Sequence, residues 1–413
     1  MNFREAADQL NRAEQLDRAD PLAPFRDRFV VTDPQTIYLD GNSLGRLPLS
    51  TRERLHRAVD EEWGGELVRG WAHWLDIGRA AGDVLAGILG AHQGEVVLAD
   101  STSVNLYKLA SAALDAVPHR RVIVTEEQNF PTDRYVLQGL AAARGLQLRA
   151  VPNVDLAAAL DDGTALLCLS HVDFRTGAVA DLPGLTAAAH RVGAMVLWDL
   201  CHSAGVLPVG LAGAAVDLAV GCTYKHLHAG PGAPAFLYVR RDLQDRLRQP
   251  IWGWFGQADQ FAMGEAYHPV PGIERFLAGT PGVLGGYAAW EGARLTAEAG
   301  VPAIAAKARA LGRYAIELSD AWLAPLGFSV ASPRADHRRG AQVALRHPEA
   351  WRVCQALLDQ RVVPDFRTPD LLRLGLAPLY TRFVDVHTGL SRLRDLVLAG
   401  RHLDYPEAHA RVT

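Results

Sequence analysis

Cysteine is scarce in this chain: there are four in 413 residues, Cys168, Cys201, Cys222 and Cys354. They have neither a CxxC spacing nor a paired framework, which argues against a disulfide scaffold and points to a reducing compartment. A charge of one sign is lacking as well. With 42 basic against 46 acidic residues the formal net charge is −4, too little to grip nucleic acid or an anionic membrane. No apolar run is long enough to span a bilayer. The charged start, Met1-Asn-Phe-Arg-Glu-Ala-Ala-Asp8, has no apolar core of the kind a secretory signal needs. Gly230-Pro-Gly232 does not complete the GxGxxG pattern of dinucleotide sites. There is no internal repeat, and no spacing that implies a metal. The expectation is a cytoplasmic protein whose partners are small molecules.

At 49% hydrophobic and 21% charged residues, the chain can bury a large core, and its length exceeds what one core usually supports. Three regions are expected: an N-terminal arm over 1–48 packed on the smaller lobe, a large domain over 49–285, and a small α+β domain over 286–413. Residues 1–30 carry an amphipathic helical pattern, and Ile37–Asp40 reads as a short strand running into a turn-rich loop. Helical periodicity covers 49–90. From Glu95 onward apolar runs alternate with helical ones. Strands are expected at 96–98, 122–124, 166–169, 195–198 and 218–221, with helices over 103–116, near 132–143 and near 182–192. This βαβ rhythm predicts a mainly parallel sheet with helices on both faces, to which 235–239 adds an antiparallel strand. An Ala-rich helical stretch over 286–324 leads into the small lobe. The Arg338-Arg-Gly340 turn reads as a solvated loop.

Two apolar runs end in reactive side chains. Val196-Leu-Trp ends in Asp199-Leu-Cys-His202, and Leu218-Ala-Val-Gly-Cys222 ends in Thr223-Tyr-Lys225. In an open parallel sheet, ligands sit in the crevice beyond the carboxyl ends of the strands. An amine beside a buried carboxylate there suits pyridoxal phosphate, which needs a lysine for its Schiff base, an acid for its ring nitrogen and donors for its phosphate. Ser101-Thr102-Ser103 follows a strand and opens a helix, so it supplies either a phosphate cradle or only a helix cap. Phe130-Pro-Thr-Asp133 also follows a strand, as a ring-stacking and acidic pair or as a plain helix start. Asp199 is costly to ionise when buried unless a cation pairs with it, a pyridinium or an internal arginine. His202 flanks the acid or caps the next helix. Arg373, among apolar residues, suits bidentate capture of a substrate carboxylate or an internal acidic partner.

Taken together, Tyr38-Leu-Asp-Gly-Asn-Ser-Leu-Gly45, Ser103-Val-Asn105, Phe130-Pro-Thr-Asp133, Asp199-Leu-Cys-His202, Thr223-Tyr-Lys225, Gly253-Trp-Phe-Gly256, Gly279-Thr-Pro281 and Arg373 with Pro378-Leu-Tyr380 resemble the kynureninases. These are pyridoxal-phosphate hydrolases of the aminotransferase class V group. The resemblance spans nearly the whole chain in family order. It implies the type I α/β fold, with a mainly parallel seven-stranded sheet in the large domain. It also implies hydrolysis of L-kynurenine, or its 3-hydroxy form, at the Cβ–Cγ bond to an anthranilate and L-alanine in tryptophan catabolism.

Residue by residue, the resemblance makes Lys225 the Schiff-base lysine and Asp199 the partner of the ring nitrogen. Phe130 stacks on the ring, Asp133 and His202 surround it, and Thr102, Ser103 and Tyr224 hold the phosphate. Trp254 and Thr280 match cofactor contacts that come from the neighbouring subunit of a homodimer. Arg373 clamps the substrate carboxylate, and Ser43 borders the substrate pocket. Tyr224 is expected to pass a proton to the carbonyl side, helped by a phenol pKa depressed beside a cationic Schiff base. A cysteine desulfurase- or selenocysteine lyase-like β-eliminase is the rival enzyme, although Cys354 sits in a helical pattern rather than on a flexible loop. A transaminase could use the same lysine and acid, and a degenerate scaffold would have lost the lysine.

Overall fold

A computed structural model describes residues 3–407. Helix α1 (Phe3–Arg18) opens the chain, and β1 (Ile37–Tyr38), α2 (Leu49–Arg57), the short α3 (Trp71–Trp74) and α4 (Ile77–Leu89) follow. Helix α4 stops where Gly90 turns left-handed at φ 65°, a conformation that costs glycine little.

The alternating region then runs β2 (Val96–Ala99), α5 (Thr102–Ala116), β3 (Val122–Glu126), α6 (Pro131–Arg144), β4 (Gln147–Val151), β5 (Thr164–Ser170), α7 (Leu182–Arg191), β6 (Met195–Asp199), β7 (Leu218–Gly221) and β8 (Ala235–Val239). These strands form one sheet in the order β2-β8-β7-β6-β5-β3-β4. Strand β8 runs antiparallel to both neighbours, and the rest are mutually parallel. Residues of each strand alternate between two apolar layers. Val196 and Trp198 pack with Leu85 and Leu89 of α4 on one face, while Leu197 packs with Leu106 and Leu109 of α5 on the other. Burial on both faces is why these strands read as continuous apolar runs.

Strand β4 was not foreseen. It sits at the sheet edge, half exposed, with Arg149 at its centre, so it carries no continuous apolar run.

The short α8 (Arg241–Gln244) leads to α9 (Val283–Ala299) and α10 (Val301–Trp322). The expected helical stretch is thus built of two helices. Gly300 adopts φ 79° between them, and Pro302 in the first turn of α10 donates no backbone bond. Strands β9 (Ser329–Val330) and β10 (Gln342–Arg346), helix α11 (Ala350–Asp359), strands β11 (Val362–Val363), β12 (Asp365–Arg367) and β13 (Leu371–Gly375), and helix α12 (Phe383–Leu398) complete the chain. They build a four-stranded antiparallel sheet, β12-β13-β10-β9.

The N-terminal segment lies on this second sheet. Strand β1 pairs with β11, and Asp17 of α1 accepts the first amides of α12, from Phe383 at 2.7 Å and Val384 at 3.0 Å. Lys307 and Asp20 form a buried ion pair at 2.6 Å. The Arg338-Arg-Gly340 turn departs from its expected solvated character, because Arg339 is buried at 2% exposure. Its guanidinium donates to Pro333 O (2.7 Å), Arg334 O (2.9 Å) and Asp336 Oδ1 (2.8 Å). It packs where α10 has Gly312 and leaves it room.

Candidate active site

The carboxyl ends of β2, β3, β5, β6 and β7 open on one side of the seven-stranded sheet, and the chain leaving each carries polar side chains. A cavity of about 270 Å³ there is lined by Thr102, Ser103, Phe130, Asp133, Ser170, Phe174, Asp199, Cys201, His202, Tyr224 and Lys225. Nine of these residues were selected from the sequence or stood in its motifs. Ser170 and Phe174 were not.

Lys225 reaches the cavity on a loop that is held from three directions. Thr223 Oγ1 donates to Pro234 O at 2.6 Å, Ala229 N–H bonds Thr223 O at 3.0 Å, and Gly45 N–H bonds Tyr224 O at 2.8 Å. Lys225 Nζ stands 2.9 Å from His202 Nε2. Burial, and then the charge on Lys225, push the His202 pKa well below the usual imidazole range. The ring is therefore neutral, and its buried Nδ1 has no hydrogen-bond partner among the described residues.

Asp199 Oδ1 accepts the Cys201 amide at 2.7 Å. Among the described residues it has no arginine or lysine ion-pair partner at bonding distance, so the internal-arginine alternative is not realised. Asp133, on the first turn of α6, shares its buried surroundings. Burial, and then the charge on Asp199 and a hydrogen bond to it, push the Asp133 carboxyl well up. The charge on Asp199, with no arginine or lysine paired to it among the described residues, fits a protonated heterocyclic nitrogen as its counter-ion.

Ser101 caps α5 by accepting the Val104 amide at 3.4 Å. The cap and the cradle readings coexist, since the hydroxyls of Thr102 and Ser103 still face the cavity. The ring of Phe130 lies with its centroid 5.9 Å from Lys225 Nζ and meets Phe174 edge-on at 5.2 Å. Tyr224 also lines this cavity. Burial is the largest of the influences that push its phenol pKa up, so at neutral pH this side chain is a proton donor and not a phenolate.

Arg373, in the middle of β13, is 1% exposed and is ion-paired with Asp365 of β12. Its Nη2 donates to Ser43 Oγ at 3.0 Å, and Ser43 Oγ donates to Asp365 Oδ2 at 2.8 Å. Nη1 bonds Phe174 O, so the residue whose ring lines the lysine cavity also holds the guanidinium. Arg373 Nε is buried without a partner. Asp365 escaped the sequence reading; its one signal is a charge set among apolar residues between Val363 and Phe366.

Asp40, at the head of the same N-terminal loop, has its carboxyl pushed up to about 7 by burial and then by the charge on Asp365. Thr280 is exposed. It lines a second cavity of about 490 Å³ that also touches Thr102, Ser103, Tyr224 and Trp74. Trp254 lines neither cavity. It is 39% exposed and packs edge-on against Phe255 at 4.9 Å.

Comparison with known proteins agrees with this arrangement. Residues 73–345 match the aminotransferase class V family and residues 304–393 match the kynureninase C-terminal domain. The chain is 44% identical to a kynureninase of Burkholderia pseudomallei (strain 1106a) over 92% of its own length and 94% of the relative's. It is 42% identical, with the same coverage, to the kynureninase of Pseudomonas fluorescens.

Among solved structures, a cysteine desulfurase from Thermococcus onnurineus NA1 superposes with TM-score 0.76 at 21% identity, covering 94% of this chain and 98% of that one. The cysteine desulfurase CsdA of Escherichia coli gives 0.77 at 18%, covering 92% and 98%. At such identities these two speak for the fold alone, the type I α/β architecture. The match along the sequence is what assigns the family: the chain belongs to the kynureninases.

Proposed function

We propose that this chain hydrolyses L-kynurenine, and its 3-hydroxy form, at the Cβ–Cγ bond to give the corresponding anthranilate and L-alanine, using pyridoxal 5'-phosphate. The observation that carries this reading is the meeting of Lys225, His202, Asp199 and Asp133 in one buried cavity, in a chain 44% identical to a kynureninase over 92% of its length.

Bound there, pyridoxal phosphate supplies an aldehyde for amines and a protonated ring that draws electrons from the substrate's α-carbon. The charge on Asp199 would hold the proton on the ring nitrogen, with the neutral carboxyl of Asp133 beside it. Lys225 Nζ would anchor the cofactor through its aldehyde and would move the proton at the substrate's α-carbon, with His202 Nε2 keeping it oriented. Phe130 would offer its face to the ring. Thr102, Ser103 and the first amides of α5 would hold the phosphate at the positive end of the helix, with the Tyr224 hydroxyl beside them. Because its phenol stays protonated, Tyr224 donates toward the substrate's carbonyl oxygen as water adds there. Arg373, braced by Asp365 and Ser43, takes the substrate carboxylate.

The desulfurase-like alternative requires an accessible thiolate. All four cysteines are buried, and burial pushes the Cys354 thiol up to about 12. We also read the protein as a cytoplasmic homodimer in which Trp254 and Thr280 serve the neighbouring site. The exposure of both side chains supports that reading.

Replacing Lys225 with Ala tests the assignment of the lysine. The variant is expected to lose the visible absorbance of cofactor linked to an amine, and retention of that band would refute the assignment.

A further inference from the structure

Lys108, on α5, has no role in the reading above, and its side chain is 0% exposed. A buried ammonium is costly unless it is paired and hydrogen-bonded. Here it donates to Asp100 Oδ2 and to Phe276 O, each at 2.6 Å. Both partners stand at the 490 Å³ cavity, one on its lining and one next to it in sequence. Asp100 lines it directly, just ahead of Thr102 and Ser103, and Phe276 precedes the Leu277–Gly282 segment that forms its opposite wall. Asp100 is held in place by its backbone: it adopts φ 40°, and its carbonyl accepts the Ala235 amide at 2.8 Å. The backbone is thus fixed at this corner, and the ion pair with Lys108 holds the carboxylate itself. A phosphate carries a charge of about −1.5 to −2 at neutral pH, and a bare carboxylate so near its cradle would repel it.

We propose that Lys108 is a positioning residue for cofactor binding: it neutralises Asp100 and so lets the N-terminus of α5 accept a phosphate. The inference rests on the placement of the cofactor phosphate at Thr102 and Ser103. Burial lowers the Lys108 pKa against the pull of Asp100, and the 2.6 Å ion pair couples the two side chains.

The test is the ratio of affinities of the full-length apoprotein for pyridoxal 5'-phosphate and for pyridoxal, which lacks the phosphate. Both are read by direct titration, without substrate. Lys108→Met is expected to reduce the preference for the phosphorylated form about tenfold or more, since an unneutralised charge acts through partly buried surroundings. Adding Asp100→Asn to it should restore the preference to near the wild-type ratio, although the lysine is still missing. A merely structural lysine would weaken both ligands equally, and the double variant would recover nothing; either result overturns the proposal. Should Lys108→Met fail to fold, Asp100→Asn alone reads the same charge with the opposite sign. It should raise the ratio, and an unchanged or lowered ratio overturns the proposal. A wild-type chain with no preference at all would refute the phosphate placement, and this inference with it.

Discussion

Gly45 is pressed against Lys225. Its amide bonds the carbonyl of Tyr224 at 2.8 Å, and a Cβ at position 45 would collide with Lys225 O and lie 2.9 Å from His228 Cα. The last glycine of the Asp40-Gly-Asn-Ser-Leu-Gly45 loop is thus a spacer that lets the N-terminal loop close over the backbone of the reactive lysine. The loop then carries Ser43 to Arg373, so one short segment connects the amine to the carboxylate-binding side chain.

Gly45→Ala is therefore expected to destabilise the protein by about 1–3 kcal/mol, the usual cost of overpacking against atoms that cannot yield. It should also weaken cofactor binding by displacing Lys225. Urea unfolding and cofactor titration check this. Unchanged values in both would mean that the loop and the lysine segment move independently.

Asp40 gives a pH signature. Its carboxyl is pushed from the ordinary carboxylate range up to about 7 by burial and then by Asp365, with Ser43, Arg373 and Arg367 pulling the other way. A folded-state pKa raised in this way stabilises the folded state fully below the ordinary carboxylate range, and that contribution is lost progressively from about pH 4 until it is gone near pH 7. Asp40→Asn, which cannot ionise, should gain stability relative to wild type by about 2–3 kcal/mol between pH 5 and pH 8. Denaturant unfolding of both proteins across that range measures it, and a difference independent of pH would contradict the assignment.

Arg373 binds through geometry as well as charge. Its guanidinium is fixed by Asp365, Ser43 and Phe174, which leaves Nε to be satisfied. Arg373→Lys keeps the charge and loses the planar fork, so KM for L-kynurenine should rise roughly tenfold or more while the cofactor spectrum is unchanged. An unaltered KM would remove Arg373 from the substrate site.

The sequence made the cofactor side of this site readable because β6 and β7 are buried on both faces. Their apolar runs end abruptly in Asp199 and Lys225, and polar residues at such ends have few places to go but the crevice. What stayed hidden depends on distant pairing. Phe174 matters because Arg373, far along the chain, bonds its carbonyl, and Asp365 matters through the register of β12 against β13. Neither relation has a local pattern. The edge strand β4 lacked an apolar run, and the break at Gly300 was masked by the alanine content on either side of it. Arg339 looked like part of a basic surface turn because its partners are mostly backbone carbonyls, which no composition reveals.

The most direct test of the central claim is to add L-kynurenine to the cofactor-loaded protein and follow anthranilate fluorescence while assaying L-alanine. Equal amounts of both products, formed without any keto acid acceptor, are predicted. A cofactor-loaded protein that yields no anthranilate from L-kynurenine and no 3-hydroxyanthranilate from the 3-hydroxy substrate, or that turns over only with a keto acid present, would contradict the account.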